Sequence, residues 1–223
     1  MAVPEALAGL TAIPGVRTAA ELSSDSVLAV LPPLARLLPE GGLRRGSTIA
    51  VGGATSLVLA LLAAATRDGS WAAVAALPEL GLAAAAEFGV DLDRIALVPH
   101  PGAELPGVLS ALVDGFDLVV LGPVAVEPQL ARRLAGRVRN RGTVLLTVGP
   151  WPGADVELRV SGRRWRGLTA DGHGHLRARD VVATSRGRGA AARPLSVQLQ
   201  LPGPGGSLAP GEPPERRLAG VAG

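Results

Sequence analysis

From Ser47 onward the chain alternates short apolar runs with longer stretches whose apolar residues recur every three or four positions. Ser47-Thr48-Ile49-Ala50-Val51 is a β-prone run ending in Gly52-Gly53. The apolar stretch Leu57 to Thr66 behind it predicts a helix capped by Thr55-Ser56 and closed by Arg67-Asp68-Gly69. Trp71 to Ala76 reads as a buried strand, Leu80 to Phe88 as a helix closed by Gly89, and Ile95 to Val98 as a strand. Leu105 to Val113 predicts a helix with Leu105, Val108, Leu109 and Leu112 at core spacing, and Phe116 to Leu121 a strongly buried strand. Pro128 to Asn140 predicts a helix with Leu130, Leu134 and Val138 on one stripe and Arg132, Arg133, Arg137 and Arg139 off it; Thr143 to Val148 follows as a strand. Short apolar strands separated by helices of about 10 residues predict an α/β fold with a mostly parallel sheet covered on both faces.

The flanks read differently. Residues 1 to about 40 are helical pieces broken by Pro4, Pro14, Pro32 and Pro33, with a helix start at Ser26-Val27-Leu28 after Asp25 and a turn over Gly41 to Gly46. After Trp151 the helical spacing stops. Val156 to Ser161, Arg163 to Leu168, His175 to Arg179, Val181 to Thr184 and Ser196 to Leu201 predict short strands, with turns at Gly162, Asp171-Gly172 and Gly187-Arg188-Gly189. They form an antiparallel extension of one sheet edge. The organisation expected is an N-terminal arm (1–25), one α/β core domain (26–201) and a disordered Pro/Gly-rich tail (202–223).

Composition narrows the chemistry. The chain has 223 residues, and aromatics are 2% of it, so the core is built from Leu, Val and Ala. Cysteine is absent, which excludes disulfides, thiolate metal sites and a cysteine nucleophile. All 22 basic residues are arginine. Without lysine there is no Schiff base, no lysine general base and no lysine contact to a phosphate. The longest apolar run, Leu57 to Ala65, is far short of the ~20 residues of a membrane span. With no charged leader in Met1 to Glu5, a cytoplasmic protein without a membrane segment is expected. Net charge is +3 but uneven: Trp151 to Gln200 carries nine Arg against Asp155, Glu157, Asp171 and Asp180, which suggests an anionic partner for that half.

In a parallel α/β sheet, ligands sit at the carboxyl ends of the strands, and the first strand-to-helix turn is the natural phosphate site. Here that turn is Gly52-Gly53-Ala54-Thr55-Ser56, too short to wrap a triphosphate and without lysine. Gly52, Gly53, Thr55 and Ser56 therefore read as a tight turn and helix cap, a degenerate P-loop at most. The strand Phe116 to Leu121 ends in Gly122-Pro123 where a magnesium-organising acid would stand, and Asp117 lies at its start. His100, His173 and His175 lack metal-ligand spacing, no serine sits in a G-x-S-x-G elbow, and Glu79 beside Pro78 has no evident partner. No catalytic, cofactor or metal residue is expected.

The Gly41 to Gly46 turn, the strand and glycine turn after it, the helix end Ala63 to Gly69, the segment Phe88 to Ile95 and the strand Phe116 to Leu121 resemble, in order and spacing, the core of the RecA recombinase over residues 26–201. The resemblance places the Walker A segment at Val51 to Leu57, the Walker B aspartate at Gly122 and the catalytic glutamate at Leu77, with Glu79 displaced. It puts the DNA-binding loops at Gly122 to Pro128 and Gly149 to Ala154. Degenerate RecA-like chains of this size resemble the actinobacterial ImuA-prime mutasome accessory family. That resemblance implies a role in DNA-damage-induced translesion mutagenesis, with an ImuB-like Y-family polymerase homologue and an error-prone replicative-type polymerase as partners. SulA-like division inhibitors that bind FtsZ are a second relative, and a divergent ATPase using arginine for lysine a third reading. The expected function is a non-catalytic adaptor, with DNA or RecA as further contacts. Arg163, Arg164, Trp165, Arg166, Arg177, Arg179, Arg186, Arg188 and Arg193 form the candidate surface, since guanidinium groups pair with phosphates or carboxylates and an arginine-flanked Trp stacks on a base or anchors an interface.

Overall fold

β1 (Val27–Leu28) pairs antiparallel with β2 (Leu43–Arg44), and the one-turn helix α1 (Pro32–Ala35) lies between them in sequence. This computed structural model describes residues 26–169 and 171–211; the expected N-terminal arm (1–25) and residues 212–223 of the expected tail lie outside them. The helix expected to start at Ser26 is instead this strand: Arg45 N–H donates to Ser26 O at 2.7 Å, and pairing outweighs the local capping signal.

β3 (Thr48–Gly52), α2 (Thr55–Arg67), β4 (Ala72–Ala75), α3 (Leu82–Glu87), β5 (Ile95–Val98), α4 (Leu105–Gly115), β6 (Leu118–Leu121), α5 (Pro128–Arg141) and β7 (Val144–Val148) follow the expected alternation. Beyond them come β8 (Val156–Leu168), β9 (Gly174–Gly187), β10 (Leu195–Gln200) and β11 (Ala209–Pro210). The nine strands form one sheet in the order β11-β10-β9-β8-β3-β7-β6-β4-β5, parallel from β8 to β5 and antiparallel from β8 to β11. The expected mostly parallel sheet with an antiparallel extension is thus present.

Successive residues of the parallel strands serve opposite faces, so each strand must be apolar throughout. Leu118 and Val120 of β6 join Val144 and Leu146 of β7 in the core under α2 and α3, whereas Val119, Leu121 and Leu145 join α4 and α5 on the other side. α2 is apolar around most of its circumference, with nine of its 13 residues buried. A helix with that pattern needs cover on more than one side. The sheet covers one side; Val160, Val181, Ala183, Leu199 and Leu201 of the antiparallel half join the same core. The sheet therefore curls back over α2, and Gly206 comes against Glu87 of α3.

Two expectations are corrected here. The short strands expected on either side of Gly162 are one strand, β8, in which the register shift between Ser161 and Arg164 absorbs the glycine as a bulge; β9 likewise runs unbroken through Asp180. The expected tail does not start at Pro202. Leu201 is fully buried, Gly203 N–H donates to Ser207 O, and Ala209–Pro210 pairs with Leu199–Gln200, so backbone pairing orders a segment whose composition suggested a coil.

Two predictions arise from the packing. Thr147 of β7 is 2% exposed and its Oγ1 has no hydrogen-bond partner among the described residues. Thr147→Val should raise unfolding stability in urea by about 1 kcal/mol, since it removes an unpaired buried hydroxyl at constant shape. On the surface, Asp114 of α4 accepts Arg137 Nε at 2.7 Å and Arg141 Nε at 3.0 Å, with a second bond from Arg137 Nη2. The hydrogen bond from Arg137, and behind it that from Arg141, hold its carboxyl down to about 2. A depressed carboxyl stabilises the fold fully above its unfolded value, about 3.9, and loses that contribution as pH falls toward about 2. The melting temperatures of wild type and Asp114→Asn should differ by a constant amount above about pH 5 and converge below about pH 4 in calorimetry.

Candidate functional site

β8 lies parallel to β3, with Gly52 paired to Arg159, but β8 does not stop there. Residues 160–168 run on past the carboxyl edge of the parallel sheet, roughly 25–30 Å at strand spacing, and β9 returns alongside. This two-stranded ribbon overhangs the edge at which α/β folds bind ligands. Trp165, Leu168 and Leu176 are 44%, 51% and 53% exposed on it.

Beneath the ribbon, two glycines of this edge stand close against neighbouring backbone. Gly53 has φ +96°, and a Cβ there would stand 2.2 Å from the Val160 carbonyl of β8. A Cβ on Gly122, the Walker B position of the resemblance, would stand 1.7 Å from the carbonyl of Ala76 at the end of β4. Ala76 itself takes φ 55°, a left-handed conformation uncommon outside glycine, and Gly122 N–H donates to Ala75 O at 2.8 Å. Leu77 packs against the core and Glu79 is exposed. The two loops matched to DNA-binding loops are held down: Trp151 and Ala154 are buried, and Val124 and Val126 pack on the same core.

Thr55 and Ser56, the caps expected of α2, do not cap it: both lie inside the helix, and the extended Ala54 occupies the cap position without a side-chain bond. Ser56 Oγ accepts instead from Arg179 Nη2 of β9 at 2.9 Å, while Arg179 Nε donates to Leu201 O at 2.7 Å. Its guanidinium also lies over the Trp165 ring, 5.5 Å from the centroid. A cation at a helix N-terminus opposes the helix dipole, so these bonds and the stacking hold it there. Among Gly52, Gly53, Thr55 and Ser56, then, one is jammed against β8 and one is bonded to arginine.

The nine-residue basic surface does not stay together. Arg164, Trp165, Arg166, Arg177 and Arg179 share the distal ribbon with the backbone of Arg163, whereas Arg186, Arg188 and Arg193 lie at the opposite end of β9 and beyond, about 20 Å away along the strand. Arg186 stands 3.9 Å from Glu157 across the pair. On the ribbon, Arg166 Nε bonds Asp180 Oδ2 at 2.6 Å and Gln200 Nε2 bonds the other oxygen at 3.2 Å. Arg164 and Arg177 are exposed and make no side-chain hydrogen bond or ion pair with the described residues. Sequence reading missed Leu168 and Leu176, although two leucines flanking the Asp171-Gly172 turn were a visible signal. Asp117 is structural: it accepts Arg45 Nη1 at 2.9 Å and Trp71 N–H at 3.0 Å. His173 stands 3.9 Å from Asp171 in the hairpin turn, and no three His, Asp or Glu gather in metal-binding range among the described residues. Nor is any helix among them long and apolar enough to cross a membrane.

Residues 36–153 match the family described as the MT3502 N-terminal domain. The chain belongs to this family. The MT3502 match contains the Gly52–Ser56 turn, Gly122, α4 and α5, and ends before the ribbon. The uncharacterized protein Rv3395c of Mycobacterium tuberculosis is 38% identical, over 68% of this chain and 80% of that one. In fold, the flagellar accessory protein FlaH of Methanocaldococcus jannaschii is similar with a TM-score of 0.53, 12% identity, and coverage of 84% of this chain and 98% of that chain. The fold is RecA-like.

A carboxylate placed at Gly122 should therefore fail on steric grounds. Gly122→Asp is expected to destabilise the protein by about 3 kcal/mol or more in chemical denaturation, because its Cβ has no room beside the Ala76 carbonyl. Wild-type stability in the variant would show that this edge can open.

Proposed function

We propose that this chain is a non-hydrolysing RecA-like adaptor of the ImuA-prime type. It acts in DNA-damage-induced translesion mutagenesis, docking an ImuB-like Y-family polymerase homologue and, through it, an error-prone replicative-type polymerase. One observation carries the reading: the carbonyls of Val160 and Ala76 leave no room for a side chain at Gly53 or Gly122, and Arg179 bonds Ser56 at the N-terminus of α2, where a P-loop lysine and a magnesium-holding carboxylate would otherwise act. A RecA-like frame in which the nucleotide edge is packed shut serves as a rigid platform, and the ribbon is its projecting element. Arg164 and Arg177 offer guanidinium forks without internal partners, and Trp165, Leu168 and Leu176 supply exposed apolar area of the kind that anchors interfaces.

A second reading rests on a specific contact. Arg179 brings a guanidinium to the N-terminus of α2, the place a P-loop lysine serves, so a divergent nucleotide site would use it. The two readings part in calorimetry. The adaptor predicts no heat of binding with magnesium-ATP at micromolar concentrations, for wild type and Arg179→Ala alike. Micromolar binding that Arg179→Ala abolishes would establish the divergent ATPase instead.

The docking surface has its own test. Reversing charge at Arg163, Arg164 and Arg166 together should reduce capture of the ImuB-like partner by at least about tenfold, since each desolvated charge pair contributes on the order of 1 kcal/mol or more. Unchanged capture, with unchanged gel shifts on DNA, removes the ribbon from the proposal.

A further inference from the structure

On the sheet face opposite α2, helices α4 and α5 lie side by side, and α5 carries five arginines and no acid. Arg133, Arg137 and Arg141 recur at four-residue intervals, so they form one row along the helix. Asp114 of α4 fills the gap between Arg137 and Arg141 and bonds both. One turn toward the N-termini, the equivalent gap between Arg133 and Arg137 faces Ser110, four residues before Asp114. Ser110 supplies no carboxylate; its hydroxyl donates back to Pro106 O at 2.9 Å. Arg133 is exposed and its side chain makes no hydrogen bond or ion pair with the described residues. An open groove lies at this point, floored by Leu130 and Leu134 and kept shallow on the α4 side by Gly107.

We infer that this groove is a docking site for an acidic, amphipathic segment of a partner protein. One of the segment's carboxylates bonds Arg133 opposite Ser110, one turn away from where Asp114 bonds Arg137, and an apolar side chain next to it lies on Leu130. The fold already displays the chemistry: the same arginine row receives a carboxylate from α4, two-pronged at Arg137. Charge complementarity also favours a peptide over nucleic acid. The cations line a single wall, and the floor is apolar, which a phosphodiester backbone would desolvate without gain whereas a leucine would bury area there. This site is independent of the ribbon and of the adaptor reading.

The test uses the full chain and a fluorescent peptide with leucine and glutamate in a helical repeat. Its controls are the same peptide with glutamine for glutamate and a single-stranded oligonucleotide. The acidic peptide should bind, the glutamine peptide should not, and rising salt should weaken binding. Arg133→Ala should weaken it about tenfold with circular dichroism and melting temperature unchanged, the loss of one charge-assisted pair. Ser110→Asp, which supplies the missing carboxylate from within the chain, should weaken it comparably while leaving every arginine in place. No binding by wild type, equal binding by Arg133→Ala, or an oligonucleotide interaction that depends on Arg133 more than the peptide's does would each overturn the inference.

Discussion

The enclosure of α2 is the constraint from which the remaining architecture follows. A helix with five large aliphatic residues buried in Leu57–Leu62 gains roughly 10 kcal/mol gross from leaving water, but only when more than one of its sides is covered. With aromatics at 2% of the chain, Phe88 is a rare large ring in this core, and the layers around α2 are filled chiefly by Leu, Val and Ala. The parallel sheet supplies one layer. The antiparallel half supplies the other, and to do so β8 must lie directly against β3 and continue beyond it.

That same approach determines what the carboxyl edge can be. Once β8 runs beside β3, Val160 presses on Gly53, and the turn before α2 has no depth for a wrapping loop. Further along the edge, the left-handed Ala76 aims its carbonyl at Gly122, which leaves hydrogen as the only side chain that fits. Arg179 then takes the one polar opening, at Ser56. All three contacts join residues distant in sequence, two of them through backbone carbonyls and one through the Arg179 side chain.

The central strands were legible because burial on both faces turns them into uninterrupted apolar runs, as in Leu118–Leu121, and the helices because α4 and α5 keep one strict stripe. What escaped the sequence was whatever pairing decides over local preference. Gly162 has the look of a turn but pairing makes it a bulge; Ser26 has the look of a cap but pairs as strand; Pro202–Gly211 has the composition of a tail but is held by Gln198 to Gln200. At the site, the absence of lysine and of the Walker B acid was readable directly. The reason those positions are glycine was not, because Val160 and Ala76 are remote in sequence from Gly53 and Gly122. Nor could a local count of charge show that Arg179 reaches back 123 residues to Ser56.

Net charge does not tell which cations of this fold are already paired; the contacts do. Because every cation is arginine, each carries a planar fork suited to two-point bonds, and an internal acid that takes the fork removes it from recognition. Asp117 takes Arg45, Asp114 takes Arg137 and Arg141, and Asp180 takes Arg166. On the ribbon, Asp180 takes Arg166, while Arg164 and Arg177 make no side-chain hydrogen bond or ion pair with the described residues, beside three exposed apolar residues. Meanwhile α5, which lies outside the basic half, carries Arg132, Arg133 and Arg139, likewise without side-chain hydrogen bonds or ion pairs among the described residues. An unpaired guanidinium stays hydrated until a partner's carboxylate or phosphate replaces that water. The ribbon tip and the flank of the α4–α5 pair are two places among the described residues where such hydrated guanidinium groups stand.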